Sequence, residues 1–390
     1  MKTLVSFYEL FGVRPDADTD TIRRAYRLLA RKFHPDVSNE TNAHETMARL
    51  NEAFKTLSDP DRRAEYDAML AGGGGPISTS SPTSGTAKPS KPVVVKLRHR
   101  LHAHKTPIYA VSFAPDSQNL ITSGFDNEIL WWHEDNVVQR AKLDSGVISV
   151  MKAFPEGRLV AAGAAESQIL FWHLNGPMID SWKSAGEEWV SCLAISADGK
   201  NLATGSLHRT LAVNDTWNGK SVYRKQEHED AVTAIAYSND GKYIASGSAD
   251  ATVKLFDAQT GALIHTFRQV RTTVTSVAFS PDNRFLAVAA VDLSIRVFSL
   301  QTGSLEKMMF GHTKPIESMA FHPNSWLLAS GSRDGTLGLW NAAKGIGNVR
   351  MEVSPKPLAC VTFSMDGRRL AAGGQDKIVR IWDVQAKETA

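Results

Sequence analysis

Residues 328–340 read Leu-Ala-Ser-Gly-Ser-Arg-Asp-Gly-Thr-Leu-Gly-Leu-Trp: an apolar run, a tight turn carrying an aspartate, and a second run ending on tryptophan. The phrase recurs along most of the chain. Its aspartate position falls at Asp126, Glu166, His208, Asp250, Asp292, Asp334 and Asp376, with a first interval of 40 residues and five of 42. The residue six places further on keeps step as Trp132, Trp172, Asn214, Phe256, Phe298, Trp340 and Trp382. Short β-branched runs separated by Asp-Gly and Asn-Asp-Gly turns read as strands, and units of about 40 residues with four strands apiece are the mark of a radial β-propeller. The last unit supplies three strand signals, 358–363, 369–373 and 378–382, and then stops, whereas Val93 to Arg98 precede the first full unit as a spare strand. Adding 93–100 to the last blade removes two exposed sheet edges at once, which favours a closed ring of seven blades over an open solenoid.

The repeats resemble the WD-repeat family over residues 93–390. That resemblance implies a buried histidine, a strand hydroxyl, a turn aspartate and a tryptophan hydrogen-bonded within a blade. The set is complete as His104, Thr122, Asp126 and Trp132, and again as His312, Ser330, Asp334 and Trp340. In the set His228, Ser246 and Asp250, Phe256 replaces the tryptophan; in all three the histidine precedes the aspartate by 22 residues. A satisfied polar network of this kind fixes a turn. Such sets also invite reading as hydrolytic triads, but a triad is defined by geometry and an enzyme needs one site, so three copies on separate blades point to structure. No enzymatic activity is expected. Asp144, Gly186, Val270 and Ser354 stand in the histidine's place elsewhere, and those blades are expected to lean on apolar packing. His99, His102 and His104 form an H-x-x-H-x-H cluster, but zinc sites usually add cysteine or carboxylate ligands; no metal or cofactor is expected.

Residues 1–71 carry a different pattern. Ile22, Ala25, Tyr26, Leu29 and Phe33 recur at helical spacing, with Arg23, Arg27 and Arg31 on the opposite face. A second amphipathic helix over about 42–57 is apolar at Met47, Leu50, Phe54 and Leu57. His34-Pro35-Asp36 lies between them; proline ends the first helix, and the short connection makes an antiparallel hairpin. Together with "FYELFGV" (7–13), "AYRLLARKF" (25–33), "LNEAFKTLSDP" (50–60) and "RRAEYD" (62–67), the tripeptide makes this segment similar to a J-domain. The resemblance implies a co-chaperone that binds a heat-shock-70 chaperone of the DnaK type through His34, Pro35, Asp36, Arg23, Arg27, Arg31 and Tyr26 and stimulates its ATP hydrolysis. Arginine suits such a surface because it is permanently charged and makes bidentate contacts. Leu28 and Val37 stand where relatives commonly carry basic residues, which lowers the affinity expected for that partner. The Gly/Phe-rich segment and cysteine-rich zinc modules of many J-proteins are missing from the sequence.

The fold class expected is therefore multidomain: a small all-α J-domain, a helical hairpin with an HPD loop, at 1–71, and an all-β seven-bladed WD-repeat propeller at 93–390. Residues 72–92, GGGGPISTSSPTSGTAKPSKP, hold almost nothing to bury and read as a flexible tether. Forty-four basic and 41 acidic residues leave a net charge of +3, too balanced to imply nucleic acid or membrane by bulk attraction. Two distant cysteines, Cys192 and Cys360, fit a reducing compartment. No apolar stretch reaches membrane-span length, and a cytoplasmic protein is expected. WD-repeat propellers mostly serve as docking platforms, which makes an unknown client protein the second expected partner. Trp189, Trp217 and Trp326 lie outside the blade-core positions, and Trp189 is the candidate interface residue. The competing reading is an assembly scaffold whose J-domain has become structural.

Overall fold

The computed structural model describes residues 7–11, 22, 26, 50, 53–54, 56–59, 62–64, 66–67, 93–142, 148–155, 157–163, 168–173, 178–183 and 189–386. The chain divides into two compact units, Met1–Lys88 and Pro89–Ala390. The division falls within the segment 72–92, itself outside the described residues.

In the first unit, Tyr8, Phe11, Ile22, Leu50, Ala53, Leu57 and Tyr66 are buried together. The two helical stripes read from the sequence meet here: the Tyr26 ring stacks on Phe54 at 4.2 Å and meets Phe11 edge-on at 6.5 Å. The helical segment Phe7–Phe11 is held against the far end of the unit. The Phe7 amide donates to the Tyr66 hydroxyl at 2.6 Å, and the Tyr8 hydroxyl donates to the Asp67 carboxylate while accepting from Arg63 Nε at 3.0 Å. Burial, reinforced by Asp67, pushes the Tyr8 phenol up to about 12. Asp59 accepts from the Arg62 amide at 3.1 Å, an aspartate cap that satisfies an otherwise orphaned donor at a helix start.

The second unit consists of seven four-stranded antiparallel sheets among the described residues. Numbered as blades in chain order, they span 108–142, 148–183, 190–225, 232–267, 274–309, 316–352, and, for blade 7, 358–386 with 93–101. The innermost strand of each blade packs against that of the next, and Leu358–Phe363 of blade 7 packs against Ile108–Phe113 of blade 1, so the ring closes. Val93–Leu101 completes blade 7 by pairing antiparallel with Val379–Ala386, from Val93 opposite Ala386 to Leu101 opposite Val379, with a bulge between Leu97 and His99.

Every seam between blades holds its own apolar cluster. Blades 1 and 7 meet through Leu101, Ile108 and Val379; blades 4 and 5 meet through Val253, Phe267 and Val274. Each innermost strand pairs with its neighbour through one bulge after its first residue. A bulge re-aims a side chain, and two of the re-aimed residues stitch seams. The Ser191 hydroxyl donates to the Val232 carbonyl, and that of Thr233 donates to the Val274 carbonyl at 2.6 Å. The short first interval of the repeat also has a local cause. In blade 1 only Glu134 and Asp135 separate Glu128–His133 from Asn136–Lys142, with Glu134 in the left-handed region at φ 54°; blade 3 spends Thr216 to Lys220 on the same connection.

Candidate functional site

Three blades carry the polar network read from the sequence. In blade 6, His312 Nδ1 lies 3.1 Å from Asp334 Oδ2 and Nε2 lies 2.6 Å from Ser330 Oγ, which accepts from Trp340 Nε1 at 2.8 Å. Asp334 also accepts from the Thr313 amide at 2.8 Å, which ties the chain entering the blade to its turn. Blade 1 repeats this with His104 Nε2 2.8 Å from Thr122 Oγ1, Trp132 Nε1 donating to Thr122 at 2.8 Å, and Nδ1 at 3.3 Å from Asp126. In blade 4, His228 sits 2.9 Å from Asp250 and 2.7 Å from Ser246, and buried Phe256 fills the tryptophan's place without a donor.

The electrostatics assign the protons. Burial would raise Asp250, but hydrogen bonds from Thr252, the Glu229 amide and His228 outweigh it and hold the carboxyl at about 2. Asp334 is likewise held well below the carboxylate range, the bond from His312 leading the opposition to burial. Burial lowers His104 and His228 against the pull of Asp126 and Asp250. An ionised aspartate only accepts, so His104 and His228 present Nδ1–H to it and a bare Nε2 to the hydroxyl. The strand hydroxyl also accepts from tryptophan in blades 1 and 6. Every donor is then engaged in a chain anchored at the aspartate.

Blades 5 and 7 depart from the expectation of apolar packing. Each buries an arginine four residues beyond its turn aspartate: Arg296 Nη2 lies 2.7 Å from Asp292, and Arg380 Nη1 lies 2.7 Å from Asp376. The equivalent position in blade 6 is Gly338, where a Cβ would come within 2.9 Å of Ser330 Oγ, Trp340 Nε1 and His312 Nε2. Without the histidine that space is open. The cross-strand partners of the arginines are the apolar Val288 and Ala372, where blade 6 has Ser330. An arginine therefore takes over the histidine's task of engaging the turn aspartate. The signal, Arg at Asp+4, is present in the sequence but on a strand it reads as an ordinary outward residue.

The tryptophans outside the blade cores separate into three cases. Trp189 is 45% exposed at the start of Val190–Ile195, beside exposed Leu207, whose amide donates to its carbonyl at 3.2 Å. Trp217 is exposed, but its ring covers Arg158 of blade 2, whose guanidinium sits 3.9 Å from the ring centroid, 4.6 Å from that of Phe154, and donates to the Thr216 carbonyl at 3.3 Å. Trp326 is half-buried against Phe285 of blade 5, ring centroids 5.0 Å apart. Trp189 thus stands exposed at a strand start, whereas Trp217 and Trp326 each cover a seam between blades.

His34, Pro35, Asp36, Arg23, Arg27 and Arg31 lie outside the described residues. Tyr26, read as a contact residue, is half-buried with its ring committed to Phe54 and Phe11. Within the His99/His102/His104 cluster only His104 turns into the blade, and no group of three or more His, Cys, Asp or Glu side chains able to hold a metal occurs among the described residues. Cys192 and Cys360 are buried and unpaired, and burial pushes both thiols up to about 12. No helix among the described residues is long and apolar enough to cross a membrane.

A ring of four-stranded blades with turn aspartates held by histidine or arginine, joined to a helical unit with an aromatic core, defines a repeat propeller carrying a second domain. The WD domain, G-beta repeat, matches residues 95–133, 179–215, 219–257, 261–299, 303–341 and 352–383, more than half of the chain. The chain belongs to that family. Six repeats match where the described residues hold seven sheets; the unmatched stretch, 134–178, contains most of blade 2, whose turn position is Glu166 and whose histidine position is Asp144. The DnaJ domain matches residues 6–67. There the chain is similar to the chaperone protein DnaJ of Synechococcus sp., 52% identical over 61 residues (16% of either chain), and to that of Dictyoglomus thermophilum, 46% over 67 (17% of either chain). It is also similar to the curved DNA-binding protein of Salmonella choleraesuis, 52% identical over 66 residues, 17% of this chain and 22% of that one. The chain thus spans under a quarter of the length of these curated relatives, all of it in the N-terminal unit.

Proposed function

We propose that the chain is a co-chaperone that docks on a heat-shock-70 chaperone of the DnaK type through its N-terminal unit and stimulates ATP hydrolysis there. The propeller is its rigid platform for a client protein or for the structure to which the chaperone is directed. One observation carries this: within the DnaJ match at 6–67, His34-Pro35-Asp36 follows directly on the stripe of Arg23, Arg27 and Arg31. The aromatic core around Tyr66 and Phe54 supports it, because such a core gives the hairpin a fixed shape on which a loop and a charged stripe keep their spacing. On this reading the chain has no catalytic centre or cofactor of its own and works in the cytoplasm. The DNA binding named for the Salmonella relative is not carried over: the match covers 22% of that protein, and this chain's net charge is only +3.

The test is steady-state ATP hydrolysis by a DnaK-type chaperone with the full chain and its His34→Gln variant. Wild type is expected to accelerate turnover and the variant to leave it at the chaperone's basal rate, with unchanged melting of both units. Equal stimulation by the two, or stimulation by neither, gives the field to the assembly scaffold.

A further inference from the structure

Propeller blades surround a central channel, and one side chain at its wall breaks the pattern of the ring. The fifth residue of the innermost strand is Ser112 in blade 1, Lys152 in blade 2, alanine in blades 3 to 6, and Thr362 in blade 7. Blades 7, 1 and 2 therefore set two hydroxyls and an ammonium at one level on one side of the axis. The four alanines opposite leave room. Lys152 is exposed, and its exposure is toward the axis: its charge acts on the buried Cys360 thiol of blade 7, although blade 1 stands between those two blades. Ser112 lies beside it, accepting from the Ala153 amide at 3.1 Å. The Ser112 and Thr362 hydroxyls donate only to the next residue's carbonyl, at 3.5 Å and 3.3 Å, and are free to turn to a stronger acceptor.

The charge of Lys152 has no match among the described residues, where it has neither a hydrogen-bond nor an ion-pair partner. Glu317 is the one carboxylate on the seven innermost strands, and Arg333 pairs with it. The turn aspartates past the strand ends, Asp116, Asp198, Asp240, Asp282 and Asp366, do not act on Lys152 either: burial pushes its ammonium down, opposed among the described residues only by Cys360. A cation stripped of water without a partner is costly. An oxyanion removes that cost, and it offers the several acceptors that an ammonium and two hydroxyls serve. We propose that the channel binds a small oxyanion of the phosphate class at Lys152, with Ser112 and Thr362 as further donors. This site lies on the axis of the ring and needs neither a client nor a chaperone.

The test uses the full chain and inorganic phosphate, with chloride exchanged for phosphate so that ionic strength and screening stay fixed. Binding is followed by phosphorus NMR, and the amine of Lys152 is labelled with a trace of acetic anhydride and read by peptide mass spectrometry. Wild type is expected to saturate with Kd on the order of 1 mM, as suits so small a ligand. At about ten times that concentration, phosphate is expected to slow acetylation of Lys152 about tenfold by mass action, leaving exposed Lys200 unchanged. Lys152→Met keeps the length and removes the charge, and is expected to weaken phosphate about tenfold or more, the worth of one charge-assisted hydrogen bond. Absence of saturable binding by wild type overturns the proposal, as does a Lys152→Met variant that binds undiminished. Should Lys152→Met fail to fold, labelling of wild type decides: an acetylation rate at Lys152 that phosphate leaves unchanged overturns the assignment.

Discussion

His312 holds three polar partners at once, Asp334, Ser330 and Thr336, and its removal leaves the buried Asp334 carboxylate and Ser330 hydroxyl each short of a partner. His312→Ala is expected to lower the stability of the propeller by about 1–3 kcal/mol, read from denaturant melts, without altering a ligand's affinity while the fold persists. The arginine blades answer differently to mutation. Arg380→Leu strands the buried Asp376 carboxylate and is expected to cost about 3–5 kcal/mol, whereas Asp376→Asn with Arg380→Leu removes the charge as well and recovers most of the loss; a double variant as unstable as the single would mean that the arginine acts by packing alone. Protonation supplies a third check. His104 and His228 lie below their ordinary 6.5 in the folded chain, and Asp250 and Asp334 below 3.8. In both classes the unfolded chain binds more protons, so stability rises with pH across each window. Melting is expected to fall as pH drops below the ordinary histidine value and again below the ordinary carboxylate value, with the histidine phase reduced in His228→Gln. The histidine sets were legible in the sequence because their spacing of 22 residues repeats. The arginine pairs were not, because nothing in a strand's alternation tells whether an arginine points at water or into a vacated histidine site.

Strands were legible wherever turns punctuate them, and the spare strand was legible as a strand because the last unit is one short. Its extent ran one residue further than read, to Leu101, since Leu101 is the residue that enters the seam with Ile108. Deleting 93–101 removes the outer strand of blade 7 and part of the blade 1–7 seam together. It is expected to lower the melting temperature of the propeller far more than deleting 72–92; equal melting of the two deletions would mean that the ring does not depend on its clasp. The seam aromatics escaped the sequence reading for a different reason. Trp217 and Trp326 sit at turn positions, and only the rotation from one blade to the next brings Arg158 under the first and Phe285 against the second. Contacts of that kind come from ring geometry and leave no local pattern.

At the level of the whole molecule, two units of unlike architecture divide the labour proposed above: one to engage a chaperone, one to choose where. The first was legible from motif order alone, since four phrases and a tripeptide fall in sequence within 70 residues, and its aromatic core follows from the same helical stripes. The identity of the propeller's client was not, because a platform's specificity lies in a few side chains that the repeat leaves free to vary. The clasp has one further consequence, for the birth of the protein. Val93 to Leu101 leave the ribosome long before their partners, Val379 to Ala386, are made. At translation rates of roughly 5–20 residues per second, the nascent chain waits some tens of seconds with its first strand unpaired. The ring closes only once Val379 to Ala386 have emerged, and a chain cut short anywhere before Val379 never closes at all.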